Sequence, residues 1–187
     1  MSTRVLAVDL GATSVRVAAA DLGPSPPALE VVHRWHHGPV EHADGTLRWD
    51  WEGITREVRR GLDLALDQGP AASIGVDGWG VDYGLLDAEG ALVSTPFSYR
   101  DRRTDGWELL ADGLGRDRLY ATTGIQLMPI NTIFQLAVHD DAELARASHL
   151  LLLPDLLVHD LTGHVGAERS NASTTALLDP STGRWAW

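Results

Sequence analysis

The stretch from Val5 to Arg16 constrains this chain more than any other. Val5 to Val8 is a short apolar run with the length and composition of a buried strand. It leads through Asp9 into a turn of small residues, Gly11-Ala-Thr-Ser14, and a second apolar run follows from Val15 to Ala20. Strand, small turn, strand predicts a β-hairpin. The turn's content is the informative part. Gly11 permits either close backbone approach or positive φ. Thr13 and Ser14 add hydroxyls, and successive backbone N–H groups in such a turn can form an anion nest. An acid leads in and a base, Arg16, leads out. Two readings follow: a phosphate-binding hairpin with Asp9 beside a metal, or an ordinary hairpin closing a sheet.

Bulk properties narrow the alternatives. At 187 residues the chain is long enough for one domain with a true core. A formal charge of -11 disfavours nonspecific binding to nucleic acid or to an anionic membrane. It leaves room for a local phosphate site. The absence of cysteine excludes thiolate chemistry and a disulfide framework. The N-terminus lacks the apolar segment of a signal peptide, and no apolar run reaches membrane-span length. A cytoplasmic protein is the expectation.

Along the chain, Asp21 to Pro27 reads as a turn and Leu29 to Trp35 as a third strand, completing an antiparallel meander. His36 and His37 lack nearby acids or cysteines at ligand spacing and read as a solvated loop. Leu47 to Trp49 is a short extended piece. Asp50 caps a helix whose stripe is Trp51, Ile54, Val58, Leu62, Ala65 and Leu66, stopped by Gly69-Pro70. Ser73 to Asp77 forms a strand parallel to one of the meander. Ala91 to Pro96 reads as extended, with a helix capped by Thr104 or Asp105 after it. Short helices are expected over Asp112 to Gly124, after Asn131 and from Asp140-Asp141. His149 to Leu153 is a buried strand. Pro154 opens a helix ended by Gly163. The chain stops at Trp185-Ala-Trp187 just after a turn, as though an element were beginning, which is read as truncation.

Four separated stretches, in order, resemble the N-terminal part of carbohydrate kinases of the FGGY family, and within it the rhamnulokinase branch. They are Ala7 to Arg16, Ile74 to Asp87 with its Gly-Trp-Gly-Val-Asp-Tyr-Gly core, Tyr99-Arg-Asp-Arg-Arg-Thr104, and a dispersed set. That set comprises Gly124-Ile-Gln126, Asn131-Thr132, Leu153-Pro-Asp155 and Asn171 to Asp179. The chain departs from the branch in carrying Val15 where Gly is usual and Gly78 where Thr is usual. Val15 bears on the loop geometry, because Val tolerates positive φ poorly.

The resemblance implies an α/β fold of the actin-like ATPase, ribonuclease-H-like kind, with a mixed sheet flanked by helices. It implies ATP contacts on Gly11, Ala12, Thr13, Ser14, Val15 and Arg16, with Mg²⁺ near Asp9. It implies ketose contact at Gly80, where the missing side chain admits the sugar to backbone, with Trp79 and Asp82 as neighbours. Trp79 could equally be core packing, and Asp82 and Asp101 could be structural hydrogen-bond or ion-pair partners of Arg100, Arg102 or Arg103. Asn171, Ser173 and Thr174 read as wall residues and Asp155 as a charge at a helix N-terminus.

Family members carry a second domain with a catalytic Asp, and no such motif occurs here. Residues 1–187 are therefore expected to be an N-terminal kinase domain, truncated, without the C-terminal domain and inactive alone, since phosphoryl transfer needs both halves of a cleft. The expected reaction of the intact enzyme is ATP-dependent phosphorylation of L-rhamnulose to L-rhamnulose 1-phosphate. The alternatives are a kinase for another ketose, such as L-fuculose or xylulose, or a non-catalytic sugar-binding fragment. The expected partners are a small ketose, ATP and the missing C-terminal domain, with no nucleic acid and no membrane.

Overall fold

In the computed structural model, which describes residues 3–23 and 26–186, the opening stretch is a tight antiparallel hairpin of β1 (Thr3–Gly11) and β2 (Ser14–Leu22). Pro24 and Ser25, in the turn expected over Asp21 to Pro27, lie outside the described residues, as does Trp187. β3 (Ala28–His36) pairs antiparallel with β2 and completes the meander, with a register shift between Val17 and Ala18. After β4 (Pro39–Glu41), β5 (Leu47–Trp49) and helix α1 (Trp51–Asp67), the chain returns as β6 (Ile74–Gly78), which lies parallel to β1. The sheet order is β3-β2-β1-β6, a mixed sheet as expected.

Alternation explains which face is covered. Leu6, Val8 and Leu10 of β1, with Val15 and Val17 of β2, point to one side and are buried. Trp51, Ile54, Val58, Leu62 and Ala65 of α1 join them in one core. Each Val, Leu or Ile side chain so buried contributes about 1.5–3 kcal/mol. Asp50 caps α1 by accepting from Gly53 N–H at 2.9 Å. Leu66 falls off the stripe, at 45% exposed, while Glu57 is buried beside His33 at 3.1 Å.

Beyond β6, β7 (Tyr83–Leu86) pairs with β8 (His149–Leu152) in a separate antiparallel ribbon. His149 to Leu152 is thus a strand outside the main sheet. Between them run α2 (Trp107–Leu114), α3 (Arg116–Thr123), α4 (Thr132–Ala137) and α5 (Asp141–Arg146). Helix α6 (Leu153–Thr162) packs Leu153, Leu156 and Leu157 into the core under β6, and Gly163 ends it in the left-handed region at φ 74°. The chain finishes with α7 (Arg169–Ala172), a 3-10 turn Ser173–Thr175, and a small hairpin of β9 (Leu178–Asp179) and β10 (Arg184–Trp185).

Three local expectations are corrected. Ala91 to Pro96 makes no strand; it meets β7 only through a bridge from Leu92 to Leu86. Neither Thr104 nor Asp105 caps a helix: Arg102–Thr104 is a 3-10 turn capped by Asp101, and α2 starts after Gly106. Asp112 belongs to α2, and Gly115, at φ 85°, separates it from α3.

Candidate functional site

The β1–β2 tip is where the chain offers free backbone donors. Among the described residues, the Ala12 and Thr13 amides and the Thr13 hydroxyl have no hydrogen-bond acceptor. Ala12 and Thr13 do not take positive φ, nor does Gly11. Gly11 is needed for close approach instead: a Cβ there would lie 2.9 Å from the Ser14 carbonyl oxygen. Val15 is extended and fully buried, so the concern over its φ does not arise.

His37 corrects the solvated-loop expectation. Its Nε2–H donates to the Gly11 carbonyl at 3.0 Å, and its backbone N–H donates to the Thr13 carbonyl at 3.1 Å. Its ring stacks on Trp35 at 5.5 Å and contacts Trp79 at 5.9 Å. Burial holds its pKa below the ordinary histidine value, partly opposed by the bond to Gly11. The neutral ring therefore pins the hairpin tip from below.

Asp9 and Arg16 face each other across the hairpin as an ion pair, both half-exposed. Asp77 lies in register with Asp9 on the neighbouring parallel strand. Two carboxylates at the carboxyl ends of parallel strands are a hard-oxygen donor set that fits Mg²⁺, which typically takes one or two carboxylates and completes its shell with water and phosphate. No cluster of three or more acidic, His or Cys ligands occurs among the described residues, so a metal here would depend on such added oxygens.

The chain passes directly from this end of the sheet to a second feature. Trp79 N–H donates to the Leu10 carbonyl at 3.1 Å. Trp79, Gly80, Val81 and Tyr99 then form one wall of a cleft of about 440 Å³ whose other wall includes Ile125, Met128 and Asn131. Gly80 also meets a packing constraint. A Cβ on Gly80 would lie 2.5 Å from Thr174 Oγ1 and 3.0 Å from Asn171 Oδ1, so these side chains occupy the space that glycine leaves. A larger cleft of about 910 Å³ lies between the start of α1 and the end of α6, and it includes neither Gly80 nor the hairpin tip.

Asp82 does not line the smaller cleft. It is fully buried, and its Oδ2 accepts from Trp49 Nε1 at 2.7 Å, Trp79 Nε1 at 3.0 Å and Tyr99 N–H at 3.2 Å. Its Oδ1 accepts from Gln135 Nε2 at 3.1 Å. Burial raises its pKa, opposed by these four donors. Asp82 thus orients two cleft residues, Trp79 and Tyr99, without touching the cleft. Asp101 accepts from the Leu47 and Arg103 amides at 2.6 and 2.7 Å, a local structural role. Asp155, in the first turn of α6, accepts from Glu168 N–H at 3.0 Å.

The network continues behind Asp82. Gln135 Oε1 accepts from Arg103 at 2.7 Å. His139 Nδ1 takes donors from Tyr83 at 2.8 Å and Arg103 at 3.3 Å, which leaves its Nε2–H to donate to Glu143 at 2.8 Å. Because Arg is a donor only, the histidine tautomer is fixed. Burial pushes the Tyr83 phenol up to about 12 and lowers the His139 pKa.

Residues to which the sequence reading gave no role at the site include His37, Asp77, Tyr99 as a cleft wall, Gln135 and Thr132. The alternation of β1 and β6 could have placed Asp77 beside Asp9. Nothing local marks Gln135, whose partner is 53 residues away.

The model for the N-terminal domain of the FGGY family of carbohydrate kinases matches residues 4–186. Rhamnulokinases from Klebsiella pneumoniae and Enterococcus faecalis are each 43% identical to this chain over 96% of it. The chain covers 38% and 37% of those two proteins, little more than a third of the length of the curated relatives. Among solved structures, gluconate kinase from Lactobacillus acidophilus superposes with a TM-score of 0.86 at 17% identity, covering 99% of this chain and 38% of that one. Xylulose kinase from Rhodospirillum rubrum gives 0.84 at 20% identity over 97% and 39%. At such identities these structures speak to the fold alone.

Proposed function

The chain belongs to the FGGY family of carbohydrate kinases, and from that premise we propose that it supplies one half of a cleft in which ATP phosphorylates L-rhamnulose to L-rhamnulose 1-phosphate. The observation that carries the reading is the direct join between the two candidate subsites. Leu10 precedes the hairpin tip with its two free amides, and the Leu10 carbonyl holds Trp79 at the head of the Gly80 cleft. A phosphate held on the tip is therefore presented toward a sugar held at Gly80. The likeness to rhamnulokinases supports L-rhamnulose as the ketose.

Each residue has a defined task in this reading. The Ala12 and Thr13 amides and the Thr13 and Ser14 hydroxyls bind phosphate oxygens. Asp9, with Asp77 beside it, would hold Mg²⁺, which would neutralise phosphate charge. Arg16 keeps Asp9 oriented. Trp79 offers an apolar platform to the sugar ring, and Asp82 keeps that indole in place. The base that activates the sugar hydroxyl is supplied from outside this chain, by a second domain of the intact protein, as are the remaining ATP contacts.

The test is ADP release by the protein expressed from the whole reading frame that contains this chain, assayed with L-rhamnulose, L-fuculose and D-xylulose. L-rhamnulose should give the highest kcat/KM. Turnover of another ketose with none of L-rhamnulose would overturn the substrate assignment, and no turnover of any would favour a sugar-binding role.

A further inference from the structure

The backbone between Gly80 and Asp82 is held in a strained conformation by side chains from distant parts of the chain. Val81 has φ 69°, and Asp82 N–H donates to the Gly80 carbonyl at 2.9 Å. An i to i+2 hydrogen bond around a residue of positive φ is the rare, strained form of the γ-turn. A β-branched residue in that region is an outlier, and among the described residues Ala176 is the only other non-glycine with positive φ. Such strain persists only where the surroundings over-determine it.

They do so here on both sides of Val81. Its N–H donates to Thr174 Oγ1 at 3.1 Å. Its carbonyl accepts from Thr132 Oγ1 at 2.7 Å and from Gln135 Nε2 at 3.3 Å. Thr132 and Gln135 sit on α4, Thr174 on the 3-10 turn after α7, so elements 42 residues apart (174 − 132) meet on one residue. Thr132 is fully buried and has no other acceptor for its hydroxyl among the described residues. The Gly80 and Val81 backbone that this clamp fixes is part of the cleft wall; Thr174 also lines that cleft, whereas Thr132 lies behind it and reaches the cleft only through Val81.

We infer that Thr132 and Thr174 are positioning residues for the ketose: they hold the Val81 turn in the strained geometry that shapes the sugar cleft. This role rests on the reading of the Gly80 cleft as the sugar site. Without either hydroxyl, Val81 relaxes toward negative φ and turns the Gly80–Val81 peptide out of place. Glycine at position 81 adopts positive φ without strain, so it should make the clamp dispensable.

The test is saturation-transfer NMR of this chain with L-rhamnulose as the probe, on wild type, Thr132→Val, Thr174→Val, Thr132→Ser, Thr174→Ser, and each valine variant combined with Val81→Gly. Thermal unfolding checks each fold, and the Gly80 and Val81 amide shifts report the turn without ligand. The valine variants should bind about tenfold more weakly, the size expected when strain of this order is released. The serine variants should bind as wild type, and Val81→Gly should restore binding to the valine variants. If a valine variant does not fold, the serine variants and the remaining valine pair decide. Equal binding by folded valine variants, or no rescue by glycine, overturns the positioning role. A wild-type chain that binds no L-rhamnulose overturns the reading of the cleft, and this role with it.

Discussion

Replacing Asp82 by alanine should cost about 3 kcal/mol of folding stability, and the estimate follows from its four donors. Trp49 is fully buried, and its Nε1–H has Asp82 Oδ2 as its partner at 2.7 Å. Truncation orphans that donor, which costs about 1–3 kcal/mol. Gln135 Nε2 retains the Ile130 carbonyl at 2.8 Å and is spared. Trp79 and Tyr99 line the cleft and can turn to water, so they add little. The void left by the carboxylate adds roughly 1 kcal/mol. Relief of burying a charge subtracts from the sum, since burial already raises the Asp82 pKa.

Asp82→Asn should cost less, about 1–2 kcal/mol, because its oxygen can keep Trp49 while its amide faces Gln135 donor to donor. The pH dependence has a defined sign. A carboxyl group whose folded pKa lies above its unfolded value of about 3.9 adds stability below that value and loses it as pH rises through the folded pKa. Wild type should therefore lose ground to Asp82→Asn as pH rises from 4. Urea unfolding followed by far-UV circular dichroism measures all three proteins. A loss under 0.5 kcal/mol for Asp82→Ala, or a worse loss for asparagine than for alanine, would refute the reasoning.

Further predictions concern other joints of the structure. Gly61→Ala puts a Cβ 2.5 Å from Val17 Cγ2, where α1 meets the sheet, so it should lower Tm although alanine favours helices by about 1 kcal/mol; a raised Tm contradicts this. His139 binds protons less well folded than unfolded, so stability should fall as pH drops through about 6.5, and His139→Gln should flatten that limb of the unfolding curve. His37→Ala removes the ring that holds the Gly11 carbonyl. It should weaken MgATP binding by this chain severalfold in calorimetry, with L-rhamnulose binding changed less.

The elements that the sequence made legible are those whose pattern is local. The β1–β2 hairpin, α1 with its Asp50 cap, and α6 between Pro154 and Gly163 each carry their own periodicity and punctuation. The mixed sheet holds for the same reason, because strands and helix alternate in the chain as they do in space, while the expected family was legible in the four motif stretches it resembles. What stayed hidden depends on distant partners. His37 looks like a loop residue until β3 brings it under Gly11. Nothing near Gly80 in the sequence shows that Thr174, 94 residues on (174 − 80), packs against it. The strain at Val81 has no signature in sequence, because valine is a poor residue for positive φ and only Thr132, Gln135 and Thr174 together hold it there.

The central claim is that one chain carries two adjoining subsites, phosphate at the hairpin tip and ketose at Gly80. Backbone amide NMR of this chain, titrated separately with MgATP and with L-rhamnulose, tests it most directly. MgATP should shift the amides of Gly11 to Arg16, and L-rhamnulose those of Gly80, Val81 and Tyr99. Shifts confined to the larger cleft around Trp51 and His159, or none with either ligand, would contradict the account.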